Sequence, residues 1–504
     1  MDKFIQRHKD KITGVISCYD RVVLTGTLPE LCHASAMARF LRYKGIRIFD
    51  YPKWAEPLRE DIRIHAEAVS KDAGLKIDFI RSQKAFRKEE RVKEIIAERG
   101  DHAGLVHIFS AMEACPSYRP WHNKKSGKTF LKPRQGKCLH YYFYFIDEEF
   151  GLCYMRVPTW APFRLQVYFN GHYWLAKQLD KAGIAYEMEA NAFVSIEDYA
   201  RAQSLADQFN ASLLHKMLNR RAQDFCPTAC QFHAGYHWST MQVEYATDII
   251  FRSQRALQPL YENIVRTAVH AIKVENVATF LGRKITRAFN DEAGNDFSTR
   301  ILGTRIKHHM GKASIKVYDK FGLILRVETT INDVTFFKHH RWVEHRNGEK
   351  EFKLAPVRKS IYSLRDLMDL MAAANRRYLA FMADIDDPSA AQKDIEKLAN
   401  PAREKGRSFR GFNLFSGIDL QLFLIMTKGE WTISGFRAAN LRQELGMKPG
   451  RISYLIKRMR VHGLIKKVGR QYKYYLTKLG CRIITAALII RQKLFAMQAV
   501  PENA

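Results

Sequence analysis

Hydrophobic positions change period several times along the chain, and each change marks a boundary. Ile12 to Leu28, Ile46 to Phe49, Lys76 to Ile80 and Leu105 to Phe109 read as strands, whereas Ala34 to Tyr43, Pro57 to Asp72 and Arg87 to Arg99 carry apolar residues at helical spacing. Strands separated by amphipathic helices imply crossovers, so a mainly parallel sheet is expected over residues 12 to 112. The Lys/Gly/Pro-rich stretch Asn123 to Lys137 reads as a solvated loop. His140 to Ile146 and Leu152 to Val157 flank Asp147-Glu148-Glu149-Phe150-Gly151, a hairpin signal, and Asn170-Gly171 turns the strand Phe163 to Phe169 into a helix from Tyr173 to Ala182. Tyr236 to Phe280 is patterned as helix. Arg305 to Thr330 returns to strands, broken at Gly311-Lys312 and Lys320-Phe321-Gly322, and Leu364 to Met382 is a long amphipathic helix. The expected architecture is an α/β body with a mixed, partly parallel sheet (1–230), an α+β region with a β-hairpin (231–383), a charged linker (384–412) and a terminal module (413–497).

The terminal module has the clearest element order. Gly417 to Met426 is a helix; a second runs from Arg437 to the stop at Gly446; Met447-Lys448-Pro449-Gly450 is a turn. The third, Arg451 to His462, turns Ile452, Leu455, Ile456 and Met459 to one side and ends at Gly463. Leu464 to Val468 and Tyr472 to Leu476 alternate as two strands around Gly469-Arg470-Gln471. This order reads as a winged helix-turn-helix and resembles MarR-like winged-helix DNA-binding domains, the resemblance resting on Met459-Arg460-Val461-His462-Gly463-Leu464-Ile465 and Tyr475-Leu476-Thr477. It implies that Arg451, Ser453, Tyr454, Lys457 and Arg458 meet the major groove, and that Lys467, Arg470 and Lys473 meet phosphate or the minor groove. The closing helix, with Ile483, Ile484, Leu488 and Leu494, packs in the core or on a second subunit.

Charge sharpens this picture. The 504 residues hold 82 Lys/Arg against 52 Asp/Glu, a formal net charge of +30. From Lys448 to Arg482 there are eleven Lys/Arg and no acid. Residues 411–504 carry sixteen Lys/Arg and four Asp/Glu, so the body is basic as well. Such a field attracts DNA or RNA phosphate with a steep salt dependence. A hydrophobic content of 46% is enough for folded cores. Nothing near Met1 reads as a signal peptide and no uncharged run approaches a membrane span, so a cytoplasmic, nucleoid-associated protein without a membrane partner is expected.

Three places offer chemistry. Asp20 lies mid-strand, where an acid is costly to bury unless paired or on metal. Glu244 and Asp248 are four apart on one helical face and repel unless a cation lies between them. With Glu328 they make a candidate Mg²⁺ or Mn²⁺ site (Asp20, Glu244, Asp248, Glu328) for phosphodiester cleavage or strand transfer, as in nucleases and transposases. The alternative is a solvated helix face and a salt-bridged strand acid. Lys316-Val317-Tyr318-Asp319-Lys320 and Leu325-Arg326-Val327-Glu328 form a second candidate, because period two places Arg326 and Glu328 on one face with Tyr318 close on the partner strand. This segment resembles phage and plasmid replication-initiation proteins, which implies a nicking tyrosine, Tyr318, and a metal. The His-x-His pair that should accompany it is missing: His308-His309 and His339-His340 are adjacent and point to opposite faces. The alternative is a hairpin in which Arg326 and Glu328 make structural ion pairs.

A third group (Tyr141, Tyr142, Phe143, Tyr144, Trp160, Phe163, Arg164, Tyr168, Phe169) either stacks unpaired bases or forms core, and core is favoured. Cys226, Cys230, His233 and His237 offer four zinc ligands, but at a spacing more compressed than usual for fingers, and reduced thiols are the plainer reading. Walker, Gly-x-Ser-x-Gly and His-Glu-x-x-His motifs are missing. Taken end to end, the chain also resembles an uncharacterised, mobile-element-like group of bacterial proteins, on Tyr19-Asp20-Arg21-Val22-Val23-Leu24-Thr25-Gly26-Thr27-Leu28, Val327-Glu328-Thr329-Thr330-Ile331-Asn332 and Trp431-Thr432-Ile433-Ser434-Gly435-Phe436-Arg437. Two functions follow as expectations: a mobile-element DNA-processing enzyme, or a non-catalytic regulator or architectural binder of DNA or RNA.

Overall fold

Sixteen residues of unbroken extended chain, Ile12–Thr27 (β1), run through the middle of the larger part of the molecule. The computed structural model describes residues 2–81, 86–283, 292–300, 303–385, 396–413, 416–426, 431, 435–468, 473–477, 479–480 and 483–484. The chain divides into two compact units, Asp10–Gln258 with Asp296–Asn375, and Met1–Lys9 with Pro259–Asn295 and Arg376–Ala504.

The larger unit is organised on one sheet. After β1 come β2 (Ile77–Ile80), β3 (Gly104–Asn123), β4 (Lys128–Asp147), β5 (Gly151–Pro158), β6 (Leu165–Asn170), a separate hairpin of β7 (Tyr186–Glu189) and β8 (Ala192–Ile196), then β9 (His237–Phe251), β10 (Ala293–Arg300), β11 (Gly303–Met310), β12 (Ala313–Lys320) and β13 (Ile324–Ile331). The sheet order is β10-β11-β12-β13-β9-β1-β6-β5-β4-β3-β2, with helices interspersed, so the unit is α/β with a mixed sheet. A parallel pair is formed by β2 and β3. The expected mainly parallel arrangement is corrected, however: β3, β4, β5 and β6 follow one another as antiparallel neighbours back to β1. Short links such as 148–150 allow only antiparallel return.

Two element readings also change. Asn123 to Lys137 is not a loop but the tip and outer arm of the β3–β4 hairpin; its outward-facing charges gave it a loop's composition. Residues 237–251 are strand, not helix, and the helix begins only at Gln254. From Tyr245 onward every residue of β9 is buried, so the alternation that marks a strand is lost. The aromatic group is mostly core, as favoured: Tyr141, Tyr142, Phe143, Tyr144, Phe163 and Phe169 are buried, and Phe143 stacks on Phe225 at 4.5 Å. A further hairpin pairs β14 (Lys338–Glu344) with β15 (Lys350–Pro356).

In the smaller unit, β16 (Ala402–Glu404) and β17 (Arg407–Phe409) precede three helices, Gly417–Met426, Ala438–Leu445 and Pro449–Val461. An antiparallel ribbon of β18 (Ile465–Val468) and β19 (Lys473–Leu476) follows. Leu422, Leu441, Ile452, Leu455, Met459 and Leu464 meet in one apolar cluster. Arg470 and residues 485–504, which include Leu488 and Leu494 of the closing helix expected in the core or on a second subunit, lie outside the described residues. Among the described residues no helix is long and apolar enough to cross a membrane.

Candidate active site

Strands β12, β13, β9 and β1 are consecutive in the sheet, and their register builds one polar face. Tyr318 lies opposite Arg326 and Lys316 opposite Glu328. Arg326 in turn faces Asp248, and Thr330 faces Glu244. Glu244 and Asp248 therefore share a face through the two-residue period of a strand, not through a helical turn. Asp20 falls where the β1–β9 register slips between Tyr19 and Val22. Such a bulge re-aims a side chain, and here Asp20 joins the other acids.

Asp20, Glu244 and Glu328 each offer a carboxylate oxygen, and these oxygens lie within 4.8 Å of one another. Lys316 Nζ is the cation that Glu244 and Glu328 share in this structure, donating to Glu244 Oε1 at 2.9 Å and Glu328 Oε1 at 2.6 Å. Thr330 Oγ1 donates to Glu328 Oε1 at 3.2 Å, and the Tyr318 hydroxyl donates to Glu328 Oε2 at 2.7 Å. Three carboxylates at this spacing form a hard oxygen donor set, which fits Mg²⁺ or Mn²⁺ better than a soft metal.

Asp248, expected in the same set, is held elsewhere. Arg326 is fully buried and donates to both of its oxygens, Nε to Oδ1 and Nη2 to Oδ2, each at 2.6 Å. Nη2 also donates to Asn191 O at 2.7 Å, and Nη1 reaches Asp20 Oδ2 at 3.4 Å. The three-carboxylate group thus excludes Asp248, because a buried guanidinium already satisfies it.

Residues not foreseen complete the site. Asn170 caps the helix Gly171–Ala182 by accepting from His172 N, while its Nδ2 donates to Asp20 Oδ1 at 3.0 Å. Asn191 Nδ2 donates to the same oxygen at 2.6 Å. His172 Nδ1 lies 3.2 Å from Asp20 Oδ1, without hydrogen-bond geometry, and Nε2 lies 3.4 Å from Asp248 Oδ2. Gly171 permits this approach, since a Cβ there would collide with the Tyr19 carbonyl oxygen. The cap signature Asn170-Gly171 was legible; its reach to Asp20 was not.

The electrostatics separate the acids. Burial and the neighbouring Glu328 carboxylate raise the Glu244 pKa against the pull of Lys316. Burial works against Asp20 and Asp248 too, but Arg326 and His172 more than offset it and lower both, Asp248 to about 2. Burial and then Glu328 push the Tyr318 phenol well above its usual value, so it is protonated at neutral pH. Lys320 moves the other way, down to about 8, through burial and Arg326.

The basic residues of the smaller unit divide. Arg458, expected in the major groove, is fully buried: it donates to Asp419 Oδ1 at 2.7 Å and Oδ2 at 2.9 Å, and to the carbonyls of Arg410 and Gly411. That placement removes it from any groove. Lys457 pairs with Glu404, and Arg460 approaches the same carboxylate at 3.7 Å. Arg451 and Ser453 are exposed on the helix Pro449–Val461, Tyr454 and Lys473 are half-buried, and Lys467 is exposed on β18. At the Cys/His group, Cys226 is buried with Sγ 3.7 Å from the Tyr236 hydroxyl, while His233 and His237 are exposed. The Cys230 side chain lies outside the described residues.

No family model and no curated protein matches the chain. Among solved structures, a rolling circle replication initiator protein from Geobacillus stearothermophilus is similar at 10% identity and a TM-score of 0.19, over 64% of this chain and 75% of that one. At that score the likeness carries no argument.

Proposed function

We propose that the chain is a DNA-processing enzyme that transfers a phosphodiester to Tyr318. The observation that carries this is the 2.7 Å hydrogen bond from the Tyr318 hydroxyl to Glu328, itself one of three converging carboxylates. Glu328 takes the phenolic proton, the phenolic oxygen forms a bond to phosphorus, and the deoxyribose oxygen leaves and gains a proton from solvent. Asp20, Glu244 and Glu328 would hold a Mg²⁺ or Mn²⁺ ion, whose chemistry would be charge neutralisation at the phosphate. Arg326, anchored by Asp248, holds β13 and Asp20 in place. Lys316 holds Glu244 and Glu328 together.

In this reading the three helices and ribbon of the smaller unit form a winged helix-turn-helix that delivers the DNA. Arg451, Ser453 and Tyr454 face the groove, and Lys467 and Lys473 face phosphate. A second reading, a non-catalytic regulator or architectural binder, is favoured by one observation: Lys316 already neutralises Glu244 and Glu328. Incubating the protein with end-labelled single-stranded and supercoiled DNA in Mn²⁺ separates the two. The enzyme gives nicking and a denaturant-stable protein–DNA adduct that Tyr318→Phe and Glu328→Gln both abolish. Absence of cleavage on every substrate, with either metal, leaves the binder.

A further inference from the structure

In the larger unit, the β3–β4 hairpin and the helix Tyr51–Asp72 contribute to a 690 Å³ cavity. Five cationic side chains line it, Arg59, Arg63, Arg119, Arg134 and Lys137, and its lining includes no Asp or Glu. Three aromatics complete the wall: Tyr51, Tyr118 and Trp160. Their polar ends are engaged with protein. Tyr51 donates to Ala161 O at 3.2 Å, Tyr118 to Leu31 O at 2.6 Å, and Trp160 Nε1 to Ser117 Oγ at 3.0 Å. What the rings offer the cavity is therefore carbon surface held in fixed orientation. Arg59 Cζ stands 6.0 Å from the centre of the Trp160 ring, and its Nε is buried without a hydrogen-bond partner. Arg134 and Lys137 are exposed, and Arg63 is tied to Glu60 at 3.1 Å.

We infer that this cavity takes a nucleotide, its base against the Trp160 side and its phosphate among Arg59, Arg134 and Lys137. A bare anion needs no aromatic wall, and an apolar ligand does not warrant five cations; a nucleotide uses both. The volume lies within the roughly 300–1,000 Å³ of ordinary ligand pockets, room for one nucleotide unit. The same chemistry is presented by one residue of an unpaired strand and by a free mononucleotide.

The test is run in EDTA on full-length Tyr318→Phe protein, so that its outcome does not depend on cleavage. Binding of fluorescent dT12 is followed by anisotropy as salt is varied. Arg134→Ala/Lys137→Ala is expected to weaken it about ten-fold at low salt and to lower the slope by about 0.7 per lost contact, and the comparison, made per charge removed, is with Lys216→Ala on an exposed helix position. A 5-iodouracil oligonucleotide is expected to crosslink to a peptide containing Trp160. If dTMP displaces the oligonucleotide at millimolar levels and the double variant weakens dTMP too, the occupant is a free nucleotide. If dTMP does nothing, the occupant is part of a strand. A double variant that behaves like Lys216→Ala per charge removed, or a poly-glutamate peptide that displaces dT12 as well as unlabelled dT12 does, overturns the inference.

Discussion

Arg326 and Arg458 are both 0% exposed, and each grips one aspartate through two nitrogens, yet they serve different ends. Around Arg458 the account closes. Asp419 takes two donors, the carbonyls of Arg410 and Gly411 take others, and the Phe412 ring lies 3.8 Å from Cζ. Burial alone raises the Asp419 pKa, but its Arg458 hydrogen bonds lower it overall. Around Arg326 the account stays open. Beside the Asp248 pair stand three more carboxylates, and there a neighbouring acid helps push Glu244 up. A pair that cancels locally is architecture; an anchored arginine beside crowded acids is a place to bring a cation.

The largest effect follows from closure. Asp419→Ala leaves a buried guanidinium unpaired and is expected to cost about 3–5 kcal/mol, read from urea unfolding of the smaller unit's transition. Arg458→Met/Asp419→Leu is expected to recover most of that loss and leave DNA binding intact, since Arg458 touches no groove. A double variant that folds but no longer binds DNA would return Arg458 to the interface. The same treatment at Arg326 and Asp248 is expected to restore folding without restoring DNA cleavage.

Next in size is the cation itself. At Mn²⁺ concentrations about a hundred times the dissociation constant, the wild type is expected to gain about 2.7 kcal/mol of stability. Glu328→Gln is expected to lose that gain while melting near the wild-type temperature in EDTA. Asp419→Asn, remote from the acids in sequence and bonding, is expected to keep it. Calorimetry with and without Mn²⁺ decides; a metal shift that survives Glu328→Gln would falsify the three-carboxylate site.

These contrasts also explain what could be read from sequence. The β12–β13 hairpin was legible because strand alternation and the Lys320-Phe321-Gly322 turn fix which residues face each other, and Tyr318, Arg326 and Glu328 meet accordingly. The meeting of Glu244 with Asp20 and Glu328 was anticipated from the wrong element. A four-residue spacing stays on one face in a helix and in a strand, so the idea survived the misassignment of β9. Which acid Arg326 takes was not legible, because Asp20 and Asp248 differ only through the β1 bulge and the Asn170 cap. The acid-free run from Lys448 to Arg482 hid the partners of Lys457 and Arg458. Its acids lie upstream in Glu404 and Asp419, and a count along the chain does not see across 39 residues.

A smaller effect is the pH dependence, where the two regions take opposite signs. Asp419 has a lowered pKa, so its contribution is present above the ordinary carboxylate range and is lost as pH falls. Glu244 has a raised pKa, so its native state binds the proton more tightly, and stability is lost as pH rises through that value. In EDTA near neutral pH, Glu244→Gln is therefore expected to melt slightly higher than wild type, a difference that vanishes on acidification. Asp419→Asn is expected to melt lower at neutral pH. Thermal melts from about pH 4 to about pH 8 test the pair, and equal signs would sink the distinction.

The smallest effect concerns Arg451 and Lys473, which pair with no acid among the described residues. Lys457→Ala removes a charge already paired with Glu404, whereas Arg451→Ala removes an exposed one whose guanidinium lies 5.8 Å from the Tyr454 ring centre. If the helix Pro449–Val461 meets DNA, Arg451→Ala is expected to weaken duplex binding and flatten the salt slope by about 0.9, and Lys473→Ala to do the same uniformly across sequences. Lys457→Ala is expected to change the slope by much less, because a lysine already neutralised by Glu404 contributes little to neutralising phosphate. Filter binding at several salt concentrations gives the three slopes. Should Lys457→Ala match Arg451→Ala, the Glu404 pair opens on DNA and the smaller unit uses its charges as freely as their density along the chain suggests; should all three slopes stay at the wild-type value, DNA is held by some other surface.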